Sequence, residues 1–408
     1  MNEQLIVKNF GPIKDATVDF KRVTVFIGPT GGGKSTLAKL AAIYRDKKSF
    51  QHHNGPGAFE SKVVYNEKGL INYFSNSTWV RYLSDTTLIT YQAGEHDIRI
   101  KNGKLNRTKE SLEELGKQLE IIKEKDPEFY NAEPKGVTNY LESDHKYAKL
   151  LKKQMEMILE SFSNDFAPVS SHYIPSERMF VASMEYSWAG LMRDDIGLLK
   201  TTLDFANSFS TSRKNIAELK ISFLDITYRH IDGRDFIKIP DREEPLMLLE
   251  TASGIQSVTP LLVLLEHLSR NTKQAQSFII EEPELNLYPT AQQGLLNWLV
   301  EKCTKGENDL TLTTHSPYIL SHLNLLLYAY QVADKHPDRK EAVAAIVPEA
   351  SWINPKEFAC YQVENGGVQS LVDAELGLID TNELDGLSGD AADAFDNLIR
   401  LSKGFAIK

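Results

Sequence analysis

The residues with the clearest chemistry lie between Val23 and Thr36. An apolar, β-branched run, Val23-Thr24-Val25-Phe26-Ile27, stops at Gly28, and glycines recur at Gly31, Gly32 and Gly33 ahead of Lys34-Ser35-Thr36. The spacing is G-x-x-x-x-G-K-[ST], the phosphate-binding loop, in the strand–loop–helix setting it requires. Glycines let backbone N–H groups turn toward phosphate oxygens with no Cβ in the way. The helical stretch Leu37–Ala42 begins at the phosphates, so its free N–H groups and positive dipole end add to the site. Gly28, Pro29, Thr30, Gly31, Gly32, Gly33, Lys34, Ser35 and Thr36 are therefore the candidate nucleotide-binding residues. Lys34 can reach the β- and γ-phosphates, and the Ser35 hydroxyl can ligate Mg²⁺.

Two later strand ends carry groups that suit hydrolysis. Ser277-Phe278-Ile279-Ile280 leads into Glu281-Glu282-Pro283-Glu284. On a parallel strand beside the phosphate loop, Glu281 would hold Mg²⁺ through water, and Glu282, just past the strand, would orient and deprotonate the attacking water. Hydrolysis needs a metal to neutralise phosphate charge and a group to position the nucleophile. Leu310–Thr314 is the next strand, and His315 at its end could hydrogen-bond the γ-phosphate. Glu250-Thr251-Ala252-Ser253-Gly254-Ile255-Gln256 precedes an apolar helix, Val258 to Leu268. A Ser-Gly at the start of an apolar helix can be a second N-terminal anion site, but taken alone it reads as an ordinary helix cap.

The elements that must position these groups are legible as periodicities. Leu5 and Val7 alternate, as do Ala16, Val18 and Phe20, with Gly11-Pro12 as the turn between two strands. Further strands are expected at Lys62–Tyr65, Thr87–Gln92, Asp97–Lys101, Tyr173-Ile174 and Phe278–Glu282. Helices are expected over 190–220, Gln292–Lys302 and Ala391–Leu401. Leu112, Leu115, Leu119 and Ile122, then Tyr147, Leu151, Met155, Ile158 and Phe162, have 3-4 spacing and predict a helical hairpin. The expected divisions are a lobe with the phosphate loop (1–107), the inserted hairpin (108–163), a second lobe with the acidic and histidine strands (164–341) and a C-terminal α+β extension (342–408). The fold class is α/β: a P-loop NTPase with a mixed sheet flanked by helices.

Composition narrows the function classes. The 408 residues are 41% hydrophobic and 25% charged, as in soluble globular proteins. No apolar run reaches the roughly 18 residues of a membrane helix, and the N-terminus lacks a signal peptide's pattern. No membrane partner is expected. Two cysteines, Cys303 and Cys360, give no disulfide framework and fit a cytoplasmic location. A net charge of −10 disfavours bulk binding of nucleic acid. Lys149, Lys152 and Lys153 could form a local basic patch, or simply a solvated helix face.

Taken in order, the phosphate loop, hairpin, Ser-Gly-x-Gln, acidic strand and histidine loop resemble the ABC-type ATPases of the SMC, RecF and OLD branch, over nearly the whole chain. The resemblance implies ATP as the nucleotide and hydrolysis to ADP and phosphate as the reaction. It also implies that Ser253, Gly254 and Gln256 act in trans, so that a homodimer or higher oligomer sandwiches two ATP molecules. Asn9-Phe10-Gly11-Pro12-Ile13-Lys14 looks like the family's opening strand-turn, which implies Lys14 near the nucleotide.

Ile174-Pro175-Ser176-Glu177-Arg178 and Glu281–Pro289 look like stretches of the compact ATPases of bacterial anti-phage systems, the OLD-like, Septu-like and retron-associated proteins. Histidines common in the second stretch are replaced by Asn286 and Tyr288, and Glu281 stands where an Asp is common. A glutamine loop is not evident; Gln92 and Ser176–Arg178 are its candidates. Downstream of His315 there is no Asp-x-Asp of the Toprim nucleases that accompany OLD ATPases, so the implied effector, a nuclease or toxin, is a separate protein. The alternative is a RecF- or SMC-like repair or chromosome-maintenance ATPase that binds DNA.

Overall fold

The computed structural model describes residues 3–46, 61–84, 87–92, 95–100, 169–183, 199–270 and 274–380, with isolated helical positions at 117, 149, 152–153, 394–395, 397–399 and 402. The expected helical hairpin over 108–163 and the helix Ala391–Leu401 lie outside the described residues, apart from those isolated positions.

The centre is a six-stranded sheet in the order β15 (Gly367–Ser370), β14 (Phe358–Glu364), β3 (Val23–Ile27), β13 (Asp309–Thr313), β12 (Gln276–Glu281) and β7 (Ser170–Ile174). All neighbours are parallel except the β14–β15 hairpin. Both faces are covered, so β3, β12 and β13 are buried at every position. Val25, Ile280 and Leu312 face one core, while Phe26 and Ile279 face the other. The first core is closed by helices α4 (Lys200–Ser212), α5 (Ser253–Ser269), α6 (Pro289–Cys303) and α7 (Pro317–Lys335). The second is closed by α1 (Lys34–Arg45) and a five-stranded antiparallel sheet. That sheet runs in the order β2 (Ile13–Phe20), β1 (Glu3–Phe10), β4 (Trp79–Leu83), β5 (Thr87–Gln92) and β6 (Glu95–Ile100), with β1 and β2 joined at Gly11-Pro12, Leu5 opposite Val18 and Val7 opposite Ala16.

Three expectations change. Lys62–Tyr65 is not a strand: it belongs to a helix, α2 (Ser61–Glu67). The β-branched pair Val63-Val64 favours a strand locally, but the helix buries Val64 and Tyr65, and the Tyr65 ring packs edge-on against Phe74 at 4.8 Å. Tertiary packing outweighs so weak a local preference. The acidic strand β12 is not next to the phosphate-loop strand, because β13, which carries His315 at its end, lies between them. The helix expected over 190–220 stops at Ser212, and an unanticipated four-stranded antiparallel sheet follows, β8 (Glu218–Ile221), β9 (Ile226–Ile231), β10 (Arg234–Lys238) and β11 (Leu246–Met247), whose strands are short and mostly half-exposed. No helix among the described residues is long and apolar enough to cross a membrane.

One buried charge ties the layers together. Arg45, in the last turn of α1, donates to Glu3 Oε2 at 2.7 Å, and to Asp309 Oδ1 and Ser277 Oγ at 2.9 Å. Its guanidinium lies 4.3 Å from the Phe20 ring centroid. The contacts join α1, β1, β2, β12 and β13 below the phosphate loop. Removing one partner from a buried ion pair leaves an uncompensated charge and costs about 3–5 kcal/mol. Arg45→Met is expected to lower the unfolding free energy by about that amount in urea titrations.

Candidate active site

The register places the C-terminal ends of the parallel strands level with one another. Glu281 pairs with Thr313, Thr313 with Phe26, and Phe26 with Tyr361, while Ile174 of β7 is opposite Ile280. In open α/β sheets this end is where ligands bind.

The phosphate loop is built on close backbone approach. Gly28 and Gly33 have φ of 135° and 112°. A Cβ on Gly28 would stand 2.3 Å from the Val363 carbonyl oxygen, and one on Gly33 would stand 2.4 Å from Ile13 Cδ1. Gly33 caps α1, while Pro29, Thr30 and Gly31 are exposed, Gly32 and Ser35 half-buried, and Thr36 buried. Lys34 is buried, and its Nζ donates to the Gly28 and Pro29 carbonyls at 2.9 and 3.0 Å. Burial lowers its pKa, opposed by Glu282, Glu281 and Glu284. Lys14 is exposed; its N–H bonds the Gly366 carbonyl at 2.7 Å and its neighbour Ile13 touches Gly33.

The acidic segment faces this loop. Burial raises the pKa of Glu281, and the Ser35 and Tyr173 hydroxyls act in the opposite direction. Its Oε1 is buried with no hydrogen-bond partner among the described residues. An unpartnered carboxylate oxygen with the Ser35 hydroxyl close by suits Mg²⁺, which takes one or two protein oxygens and fills its remaining positions with water and phosphate. Bound there, Mg²⁺ would neutralise charge on the β- and γ-phosphates.

Glu282 has φ of 42° and hangs its N–H on the Thr313 carbonyl at 2.9 Å. Its Oε1 is 3.4 Å from His315 Nε2, longer than a tight hydrogen bond. Both side chains are about one-quarter to one-third exposed, at 26% and 32%. Burial, followed by Lys34, lowers the pKa of His315, with Glu282 opposing. An imidazole and an accessible carboxylate share one opening, a pairing that can hold and deprotonate a water.

Two further residues sit at the same strand ends. Glu284 is buried and accepts from the Thr314 hydroxyl and from the His315 N–H at 3.1 Å. Arg178, in the turn after β7, is fully buried and donates to the Glu281 and Glu282 carbonyls at 2.7 and 2.6 Å. Burial lowers its pKa to about 10, against the pull of Glu284, Glu282 and Glu281. Three acids within four residues were the available signal for Glu284; Arg178 was legible only as the end of the stretch Ile174–Arg178, with no sign of which groups it would meet.

Ser253 is exposed and opens α5, where Gly254 is buried against the loop after Glu284; a Cβ there would lie 2.5 Å from the Asn286 carbonyl oxygen. The Gln256 amide donates to the Leu249 and Thr251 carbonyls at 2.9 and 2.7 Å, pinning the turn that precedes α5. Gln92 lies exposed at the end of a peripheral strand.

The profile of the AAA ATPase domain matches residues 1–320, more than three-quarters of the chain. The chain belongs to the AAA ATPase domain family. As a member of that family it binds nucleotide and hydrolyses ATP. No curated protein matches this ATPase. Among solved structures, the SMC head domain from Thermotoga maritima is 13% identical, covering 91% of this chain and 98% of that one with a TM-score of 0.37. The recombination mediator protein RecF-ATPrS of the RecFOR pathway is 12% identical, covering 90% and 97%, with a TM-score of 0.31.

Leaving a buried donor unpaired costs about 1–3 kcal/mol. Glu284→Ala strips both the Thr314 hydroxyl and the His315 N–H of their acceptor. It is expected to lower stability by about that amount in thermal or urea unfolding and to reduce turnover, measured as phosphate release.

Proposed function

We propose that this ATPase works as a head-to-tail dimer closed around two ATP molecules, and that ATP occupancy governs a separate effector, a nuclease or toxin, in bacterial defence against phage. Lys34 and Ser35 hold the phosphates and Mg²⁺, Glu281 supports the metal, Glu282 is the general base, and His315 senses the γ-phosphate. Ser253, Gly254 and Gln256 of each subunit complete the site of the other, and Lys14 flanks the nucleotide.

The observation that carries the dimer is the position of Ser253. It is exposed in the first turn of the 17-residue helix α5, where free backbone N–H groups and the positive dipole end attract an anion. The Gln256 amide stiffens that entrance from within its own chain. The defence role is supported by the two stretches Ile174–Arg178 and Glu281–Pro289, which meet where the Arg178 guanidinium donates to the Glu281 and Glu282 carbonyls. A cytoplasmic location accords with two free, buried cysteines.

Complementation tests the arrangement in trans. Lys34→Ala and Ser253→Arg are each expected to abolish hydrolysis alone. Mixed, they form one intact composite site per heterodimer, so phosphate release should return; continued silence would place the signature in cis or remove its role. Glu282→Gln is expected to cut kcat by about 10²–10⁴-fold while retaining ATP, and to accumulate dimer in light scattering. For the system-level role, protection in a phage challenge should depend on Lys34 and Glu282, and the effector should co-purify. ATP-dependent, salt-sensitive DNA binding by the ATPase alone, with no effector, would favour the repair or chromosome-maintenance alternative.

A further inference from the structure

The structure assigns to Arg178 a positioning role in hydrolysis: its guanidinium holds the Glu281–Glu282 backbone so that the metal-supporting acid and the general base keep their separate directions.

Arg178 heads the fully buried large side chains among the described residues. Burying a guanidinium is costly unless its donors are met. Here Nη1 donates to the Pro175 and Glu281 carbonyls, at 3.2 and 2.7 Å, and Nη2 donates to the Glu282 carbonyl at 2.6 Å, so the two ends of the fork are met while Nε is buried without a hydrogen-bond partner among the described residues. The planar fork thus spans two successive carbonyls across the point where β12 ends. At that point the chain turns into the left-handed region, at Glu282, a conformation unfavourable for a residue with a Cβ. From the opposite side the Glu282 N–H is held by the Thr313 carbonyl at 2.9 Å, with Thr313 Oγ1 at 3.2 Å. The peptide is therefore gripped from both neighbouring strand ends: Arg178 from β7 and Thr313 from β13.

The grip determines side-chain direction. Along an extended strand successive side chains point to opposite faces. The left-handed turn instead leaves Glu281 buried against Ser35 and Tyr173, while Glu282 emerges toward His315. Arg178 touches neither carboxylate through these bonds and acts through the main chain. The short helix α3 (Met179–Ser183) that continues from it packs against α5, the helix opened by Ser253. A shift of α5 would therefore reach the general base through Arg178.

The inference rests on Glu282 as the base, and the test separates the two claims. Phosphate release, affinity for a fluorescent ATP analogue and thermal melting are measured on the full chain for Glu282→Gln, Arg178→Ala and Arg178→Lys. Misplacing a catalytic group by about 1 Å can cost about 100-fold in rate. Arg178→Ala is expected to lose about that much in kcat with ATP affinity unchanged, and methylguanidinium is expected to restore part of the loss. Arg178→Lys, which keeps the charge and loses the fork, is expected to lose kcat in the same way; it decides the matter if the alanine variant does not fold. A Glu282→Gln variant with wild-type turnover would overturn the base itself. An inactive Glu282→Gln beside wild-type turnover in either folded Arg178 variant would overturn only the positioning role. So would a parallel loss of ATP affinity and kcat, which marks a purely structural residue.

Discussion

Three carboxylates within four residues, Glu281, Glu282 and Glu284, must share the end of one buried strand, and the site is arranged around keeping them apart. Like charges this close would each suppress the ionisation of the others if left in a low-dielectric interior. Each has a different environment. Glu281 is buried beside hydroxyls, Glu282 reaches the opening, and Glu284 is buried against the Thr314 hydroxyl and the His315 N–H. Lys34 and Arg178 supply the opposing charge on either side. Separate surroundings give chemically similar groups separate characters, which the proposed roles of metal support, proton abstraction and alignment of the histidine turn would use.

The sheet makes this separation possible. With β13 between β3 and β12, the histidine turn lies directly between the phosphate loop and the acids, and Glu284 fastens that turn to the acidic segment. On the other side of β3, Val363 of β14 closes against Gly28 and Gly32 so tightly that no side chain fits there. The loop is therefore shaped by the far edge of the sheet as much as by its own glycines. Below the site, Arg45 draws α1 onto β1, β12 and β13, so the helix that begins at the phosphates is anchored at its other end.

Chemistry that depends on a short contiguous spacing was open to reading without coordinates. The phosphate loop, the strand ending in Glu281-Glu282 and the strand ending in His315 are each local patterns of burial period and residue type, and each element forms where those patterns predict. The β1–β2 hairpin is equally local, with strict alternation and a Gly-Pro turn. The failures were of the opposite kind. Val63-Val64-Tyr65 has a strand's composition but becomes a helix because Tyr65 fits against Phe74 and Phe10. The short strands between 218 and 247 draw their stability from one another rather than from any one strand's pattern.

By itself, then, the sequence determined the ligand class and marked the candidate groups for its hydrolysis, because a phosphate cradle and an acidic strand end are defined by backbone freedom and side-chain type over a few residues. Only the tertiary structure decided the strand order, the insertion of β13 between phosphate loop and acids, and the partnership of Arg178 with two carbonyls about a hundred positions away. Those depend on which strand ends are brought level by packing across two cores. No local pattern encodes that distance, since a buried guanidinium is tolerated only where the rest of the fold has already set out its acceptors.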